Sequence, residues 1–277
     1  MQSTPDWILL WRELTGIKGQ WKHKNPPEQA DDIWRARAHD YHEAVKRRWA
    51  KPDTSREFIV KQLDAHPGST LLDIGAGTGA WTLLLAHHTQ HVTAVDPSPA
   101  MLSVLQENLA PEKLTNVTVL QGAWPDVAVA KHDFTLCSHA MYGCADFQGF
   151  IEGMVAATQR TCFLLFRIPR PDGLLAAAAR HIWGQPHDSP NFQVAYNALL
   201  QMGLYPNVLI EESAGWEPRR YPSQAEALKY IKHHFALDED DTHDAFLKEL
   251  LQQYLTREED AYLWPQGTRS ALVYWDV

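Results

Sequence analysis

Short apolar runs alternate with helical patterns through the middle of the chain. Between residues 68 and 168, five runs rich in Val, Ile, Leu, Phe and Thr have the length of buried strands. They lie at Thr70–Ile74, His91–Asp96, Val117–Gln121, Phe134–Ser138 and Cys162–Ile168. The segments between them space their apolar residues three or four positions apart and predict helices at Ala80–His88, Pro99–Leu109 and Phe147–Thr158. This alternation predicts βαβ units, in which a mostly parallel sheet carries helices on both faces.

The first 66 residues show helical spacing without strands. Apolar residues predict one helix around Trp7–Leu14 and a second around Trp34–Val45. The polar stretch Lys18–Asp32, which contains Gly and Pro, predicts a loop between them. Thr54 with Glu57 forms a capping box and predicts the start of a third helix.

The segment after the fifth strand completes the predicted sheet. We expect a loop at Pro169–Pro190 and a helix at Phe192–Met202, followed by strands at Asn207–Glu211 and Ser270–Trp275. The fold class is therefore α/β, with a Rossmann-like doubly wound sheet of seven strands. We expect its last strand to run antiparallel to the others.

About 58 residues separate the last two predicted strands, far more than a hairpin turn requires. Two further capping boxes, Ser223 with Glu226 and Thr256 with Glu259, predict helices in this segment. We therefore expect an inserted helical cap. The predicted division is an N-terminal helical extension at 1–66, a core at 67–211, the cap at 212–265 and a final core strand at 266–277.

Composition and charge narrow the possible partners. The chain has 277 residues, a net charge of −9 and a pI near 5.8, which argues against a nucleic-acid partner because phosphates require a basic surface. No apolar run approaches the ~18–20 residues of a membrane span, so we expect no membrane partner. Three cysteines, an odd number, suit a reducing compartment. We expect a cytoplasmic monomer or homodimer.

A glycine-rich turn follows the first predicted strand, in the run Leu71-Leu72-Asp73-Ile74-Gly75-Ala76-Gly77-Thr78-Gly79. Glycines at such a turn let the backbone approach a ligand closely. Asp96 ends the second strand 21 residues after Gly75, where an acidic residue binds a ribose in doubly wound sheets.

Two ligands fit this turn. The spacing Gly75-x-Gly77-x-x-Ala80 also matches the dinucleotide fingerprint, which is weak evidence by itself. The carboxylate of Asp73 would repel a pyrophosphate, however, whereas it can pair with the ammonium of an amino-acid moiety. After Asp96, Ser98 is placed to cap the next helix.

Four segments, Leu71–Gly79, Val92–Met101, Leu120–Trp124 and His132–Tyr142, resemble the class I S-adenosylmethionine-dependent methyltransferases. The similarity is to the small-molecule type that includes enzymes of quinone biosynthesis, and it covers about residues 34–168 and the terminal strand pair. It implies S-adenosyl-L-methionine as cofactor and S-adenosyl-L-homocysteine as product. An NAD-dependent oxidoreductase, a catalytically inactive cofactor-binding relative and a protein methyltransferase stay open as alternatives.

The resemblance also implies the cofactor contacts. Asp73 and the glycine turn would hold the methionine portion, Asp96 the ribose hydroxyls, and Met101 would pack on the adenine. The family usually has Gly-Asp-Ala after the third strand, but this chain lacks the aspartate, so we expect Trp124 against the ring. The expected contacts are Trp34, Arg37, Tyr41, Asp73, Gly75, Ala76, Gly77, Asp96, Pro97, Met101, Gln121, Gly122, Ala123, Trp124, Ser138 and His139.

Methyl transfer mainly requires alignment and the exclusion of water, and it requires a general base only where the nucleophile is protonated. His139 and Tyr142 follow the fourth strand, at the edge where ligands bind in this fold. We expect them to be the catalytic residues, with His139 as base or as a substrate-orienting residue. The alternative is that His139 contacts only the cofactor.

The substrate is expected among the additions to the sheet, which carry most of the 11 tryptophans. We expect a lidded aromatic pocket for a planar or anionic small molecule, contacted by Arg167, Trp183 and Trp216. The alternative is that these tryptophans only pack the additions onto the sheet. No metal is expected, because His139 and Arg167 stand where the metal-dependent relatives carry acidic ligands.

Overall fold

A seven-stranded sheet forms the centre of the fold, which a computed structural model describes for residues 5–24, 34–211, 218–265 and 268–277. Side chains are described for the same residues except 18–24. In chain order the strands are β1 Thr70–Ile74, β2 His91–Asp96, β3 Val117–Gln121, β4 His132–Ser138, β5 Thr158–Ile168, β6 Asn207–Ile210, β7 Arg220–Tyr221, β8 Thr256–Glu258, β9 Ala261–Leu263 and β10 Arg269–Asp276.

The main sheet has the order β3-β2-β1-β4-β5-β10-β6. Strands β1 to β5 pair in parallel, and β10 runs antiparallel between β5 and β6. The order reverses between β1 and β4, which is where doubly wound sheets bind ligands. The predicted α/β class, with seven strands and an antiparallel last strand, is confirmed.

Ten helices surround the sheet in the described residues. They are α1 Trp7–Lys24, α2 Ala38–Trp49, α3 Thr54–Asp64, α4 Ala80–Ala86, α5 Pro99–Glu112, α6 Phe147–Ala157, α7 Leu174–Trp183, α8 Phe192–Gln201, α9 Gln224–His234 and α10 Asp244–Tyr254. The predicted caps of α5 and α9 are confirmed: Ser98 accepts from the Met101 N–H at 3.1 Å, and Ser223 accepts from the Glu226 N–H at 3.2 Å.

Side chains alternate between the two faces of the sheet. Leu72 and Phe166 are buried on one face, in a cluster with residues of α1, α6 and α8. Leu71 and Phe163 are buried on the other face, beside α3 and α4. Burial of each such side chain contributes about 1.5–3 kcal/mol, so both helical layers are held firmly against the sheet.

Helix α7 corrects the predicted loop at Pro169–Pro190. The run from Leu174 to Ala179 consists of strong helix formers. Leu174 and Ala179 are buried against Ile231 of α9 and Leu251 of α10. Helix α7 therefore packs in one apolar cluster with the two helices of the predicted cap.

The predicted helix start at Thr256 is wrong. Strands β8 and β9 form an antiparallel hairpin there, turning at Glu259, and β7 pairs with the other side of β9. The capping residues Thr256 and Glu259 match a helix only locally, whereas Tyr262 and its neighbours have high strand propensity and find a partner strand.

Two boundaries at the N-terminus also differ from expectation. The loop predicted from Lys18 is wrong in its first part, because α1 continues to Lys24. Each glycine inside a helix costs only about 1 kcal/mol, so Gly16 and Gly19 do not end α1. The rest of that predicted loop, residues 25–32, lies outside the described residues. Helix α3 is capped by Asp53, which accepts from the Arg56 N–H at 3.0 Å, instead of by Thr54.

Within the described ranges, none of the helices has both the length and the apolar composition to cross a membrane.

The carboxylate of Glu211, directly after β6, binds the start of α3. It accepts hydrogen bonds from the backbone N–H and the hydroxyl of both Thr54 and Ser55. We expect Glu211→Ala to lower the free energy of unfolding by about 1–3 kcal/mol, because it leaves buried donors without an acceptor. Urea denaturation measures this change.

Glu43→Ala is the matched control. Glu43 is an exposed acid on α2 whose side chain pairs with Lys46 at 2.9 Å, and exposed pairs contribute little to stability. Its unfolding midpoint should equal that of the wild type. An equal loss in both variants would contradict the capping role of Glu211.

Candidate functional site

The glycine turn lies at the carboxyl end of β1, at the point where the strand order reverses. Gly75 and Gly77 have φ angles of +71° and +55°, a backbone region that favours glycine. A Cβ at Gly75 would lie 2.1 Å from the Cβ of Ala140, so no side chain fits there. A Cβ at Gly77 would have no atom of a described residue within 4 Å. The backbone at Gly77 therefore borders open space that a ligand can occupy.

Asp96 ties this turn to the end of β2. Its carboxylate accepts from the Gly77 N–H at 2.9 Å and from the Ser98 N–H at 2.8 Å. The side chain is 7% exposed. In doubly wound sheets an acidic residue at the end of the second strand binds a ribose, and Asp96 occupies that position beside the glycine turn. Pro97 is exposed next to it.

Helix α2 lies over the glycine turn and α5. Its Tyr41 packs with Trp34, with ring centroids 5.2 Å apart, and both contact the buried Met101 cluster. The pKa of Tyr41 is raised by burial and by the charge of Asp96, which places the phenol near that carboxylate. Three of the expected cofactor residues thus meet beside Asp96. Arg37 lies exposed just before the helix.

Asp73 lies behind the turn instead of in front of it. Its side chain is 1% exposed and accepts from the Thr82 hydroxyl of α4 at 2.6 Å. Burial, together with the nearby charge of Asp96, raises the pKa of Asp73 to about 7. Asp73 therefore connects β1 to α4 through this hydrogen bond. Since its carboxylate is buried, we expect it to affect a ligand by positioning the glycine turn.

The residues after β3 separate into two groups. Gly122 donates its N–H to the Asp96 carbonyl at 3.1 Å, while Gln121 and Ala123 are exposed beside it. Trp124 turns towards α6, where its indole N–H donates to the Phe150 carbonyl at 3.1 Å. The structure thus accounts for Trp124 through packing on α6.

His139 belongs to a chain of hydrogen bonds at the end of β4. The Tyr142 hydroxyl oxygen accepts from the backbone N–H of Arg167 at 2.6 Å. The hydroxyl proton of Tyr142 is therefore donated to Nδ1 of His139, at 3.0 Å. The ring proton is thereby assigned to Nε2, which faces the Ser270 hydroxyl oxygen at 3.4 Å. Arg48 of α2 donates to the same hydroxyl at 3.2 Å. Ser138, one residue earlier, is half-buried.

Neither catalytic candidate is poised to take a proton at neutral pH. Burial lowers the pKa of His139 to about 3, and the positive charges of Arg48 and Arg167 act in the same direction. Burial raises the pKa of Tyr142 to about 12. Since the acceptor nitrogen of His139 is already occupied by Tyr142, the arrangement suits orientation of a ligand better than general-base catalysis.

A cavity of about 350 Å³ lies between the end of β5 and the cap. Arg167 lines it together with the start of α7, Tyr254 and Trp264. Asp188 also lines it and pairs with His234 of α9 at 2.8 Å. Burial opposes ionisation of Asp188, but the His234 hydrogen bond and the Arg167 charge hold its pKa well below the ordinary value.

The three predicted substrate residues separate in the structure. Arg167 lines the cavity, whereas Trp183 packs within the cap against Phe235, with ring centroids 4.8 Å apart. Trp216 lies outside the described residues. Sequence reasoning missed Asp188 and Trp264, because only the folded cap brings them to the end of β5.

In the parts of the chain that the structure describes, no three His, Cys, Asp or Glu side chains are grouped as metal ligands.

Residues 71–160, which are 90 of the 277 residues, match the sequence model of a family described as a methyltransferase domain. This range contains the glycine turn, Asp96 and the catalytic candidates at the end of β4.

Two curated relatives that resemble this chain match only part of it. A probable ribosomal RNA small subunit methyltransferase A from Methanosphaera stadtmanae is 32% identical over 69 residues, 25% of this chain and 26% of that protein. A malonyl-[acyl-carrier protein] O-methyltransferase from Serratia marcescens is 29% identical over 119 residues, 43% of this chain and 41% of that protein. The chain thus spans less than half the length of these relatives.

Among solved structures, the YcgJ protein from Bacillus subtilis superposes with a TM-score of 0.54 at 15% identity, covering 80% of this chain and 97% of that one. At this identity the likeness supports the fold alone.

The depressed pKa of His139 predicts a pH-dependent stability. The unfolded chain protonates this histidine near its ordinary pKa of 6.5, whereas the folded protein does so only near 3. The stability that neutral His139 contributes is therefore present above pH 6.5 and is lost progressively as the pH falls towards 3. Between pH 7 and pH 4.5, the Tm of the wild type should fall more steeply than that of His139→Gln.

His39→Gln controls for the loss of a histidine, since His39 is exposed on α2. Its Tm should follow the wild type at every pH. Parallel curves for the wild type and His139→Gln would rule out a buried neutral His139.

Proposed function

Because residues 71–160 match the sequence model of a methyltransferase domain, we propose that this protein is an S-adenosylmethionine-dependent methyltransferase acting on a small molecule. The observation that carries the proposal is the open space in front of Gly77, next to the carboxylate of Asp96. We propose that the acceptor binds in the cavity under the cap.

The residues at the glycine turn fit this cofactor. Gly77 presents backbone to open space, and the Asp96 carboxylate lies beside it, at the position where an acidic residue binds a ribose in doubly wound sheets. Tyr41 and Met101 lie on the side where an adenine ring would be covered. When bound, the cofactor supplies a methyl group activated by a sulfonium centre.

Orientation and exclusion of water are the tasks left to the protein. Helix α2 covers the turn, and its Arg48 reaches the Ser270–His139 contact. His139, neutral and hydrogen-bonded on both sides, orients ligands at the end of β4 and does not remove a proton. The acceptor atom must accordingly carry its own available lone pair at neutral pH.

The volume of the cavity, about 350 Å³, and the net charge favour a small molecule. One relative is named as a ribosomal RNA methyltransferase and another as an O-methyltransferase of malonyl-[acyl-carrier protein]. A net charge of −9 disfavours phosphate backbones as substrate. The oxidoreductase alternative is not favoured, because the family match is to methyltransferases. The narrower quinone-biosynthesis type stays a prediction.

We expect Gly77→Ala to weaken binding of S-adenosylhomocysteine by at least about tenfold, or ~1.4 kcal/mol. The new methyl group would occupy the space that the ligand requires. Isothermal titration calorimetry measures the affinity directly.

Gly68→Ala separates this effect from backbone strain. Gly68 also has a positive φ, +80°, and its Cβ would likewise meet no atom within 4 Å. This glycine lies just before β1, away from the turn. Its affinity should equal that of the wild type. Equal affinities in both variants would remove Gly77 from the cofactor site, and no binding by the wild type would contradict the proposed cofactor.

The substrate class is tested by following a radiolabelled methyl group in a cell lysate supplied with the protein. The label should enter the small-molecule fraction, and Asp96→Ala should abolish that transfer. Label in the protein or RNA fraction would overturn the small-molecule proposal. Binding of S-adenosylhomocysteine without any transfer would instead identify an inactive cofactor-binding relative.

A further inference from the structure

The cavity under the cap contains an arginine, Arg167, that makes no direct ion pair with any described carboxylate. Of the two carboxylates that line the cavity, Asp172 pairs with Arg170 at 2.9 Å, and Asp188 contacts His234 at 2.8 Å. The positive charge of Arg167 lowers the pKa of Asp188, but its guanidinium does not pair with that carboxylate directly. Arg167 is therefore available for a direct ion pair with an anionic ligand.

The contacts of Arg167 fix its guanidinium in place without neutralising it. Nη2 donates to the Ser189 hydroxyl and to the Pro190 carbonyl, both uncharged acceptors. Nε is buried and has no hydrogen-bond partner among the described residues. The side chain also lies over the Tyr142 ring, 5.1 Å from its centroid. A fixed guanidinium loses little entropy when it binds an anion.

The remaining walls of the cavity suit a flat apolar body. Trp264 and Tyr254 face it from the cap, and Leu174 with Leu175 face it from the start of α7. Helix α7 has no side-chain cap and no acid in its first turn, so its first N–H groups add positive potential on the same side as Arg167. A volume of about 350 Å³ is within the range of small-ligand pockets.

We propose that this cavity binds a small aromatic carboxylate, with Arg167 as the residue that anchors the carboxylate group. A carboxylate can pair directly with Arg167, whereas the second negative charge of a phosphate would lack a partner, because Arg170 is already paired with Asp172. The proposal rests on the proposed function only in treating the cavity as the acceptor site. The methyl acceptors would then be planar carboxylic acids in their ionised form.

Binding of benzoate tests the proposal without any turnover. Ligand-observed NMR titrations of the full chain compare benzoate with its neutral isostere benzamide and with phenyl phosphate. Benzoate should bind more tightly than both. In Arg167→Gln the benzoate affinity should fall about tenfold, the size expected for a lost charge-assisted hydrogen bond.

Two further variants make the result decisive. Arg160→Gln, which removes an arginine that is paired with Asp133 at 3.3 Å outside the cavity, should change benzoate binding less than twofold. Arg167→Lys keeps the charge but loses the planar fork, and should bind with intermediate affinity if the fold is intact by circular dichroism. Equal binding of benzoate and benzamide, an unchanged affinity in Arg167→Gln, or tighter binding of phenyl phosphate would overturn the proposal. Titrating the same samples with S-adenosylhomocysteine measures cofactor binding separately, so a failure of the carboxylate proposal can be distinguished from a failure of the proposed function.

Discussion

The close contact between Gly75 and Ala140 holds the functional edge of the sheet together. A Cβ at Gly75 would lie 2.1 Å from that of Ala140, so the backbone of the β1–α4 turn rests directly on the loop after β4. His139, one residue earlier, has a φ of +57°, a strained region for a residue with a side chain. From this position its ring reaches both Tyr142 and Ser270. The glycine turn and the catalytic candidates are therefore parts of one packed unit.

Polar contacts connect the additions to this unit. His42 of α2 meets the Thr78 hydroxyl at 3.2 Å, and Arg48 at the other end of the helix donates to Ser270 of β10. Glu211, at the end of β6, binds the start of α3. Helix α2 is thus fixed to the glycine turn at one point and to the last strand at another. Movement of this helix would change access to the turn and the hydrogen bonding of His139 together.

The sequence was sufficient to predict the sheet and the glycine turn, because both depend on local patterns. Buried parallel strands appear as short apolar runs, and the cap at Ser98 depends on residues three positions apart. The hairpin at Thr256 was missed because its deciding partner, β7, is distant in the chain, and the contact between Trp124 and Phe150 likewise joins separate elements that no local pattern connects. The Arg48–Ser270 contact joins residues 222 positions apart, and no local signal indicates it. Structure was needed wherever tertiary partners override local propensity.

The central claim is that the cofactor binds at the glycine turn, under α2, whereas the acceptor binds in the separate cavity under the cap. Hydrogen–deuterium exchange with and without S-adenosylhomocysteine tests it most directly. The account predicts slower exchange at Gly75–Gly79, at Asp96–Met101 and in α2, with α9 and α10 unchanged. Protection confined to α9 and α10, or no protection at the glycine turn, would contradict it.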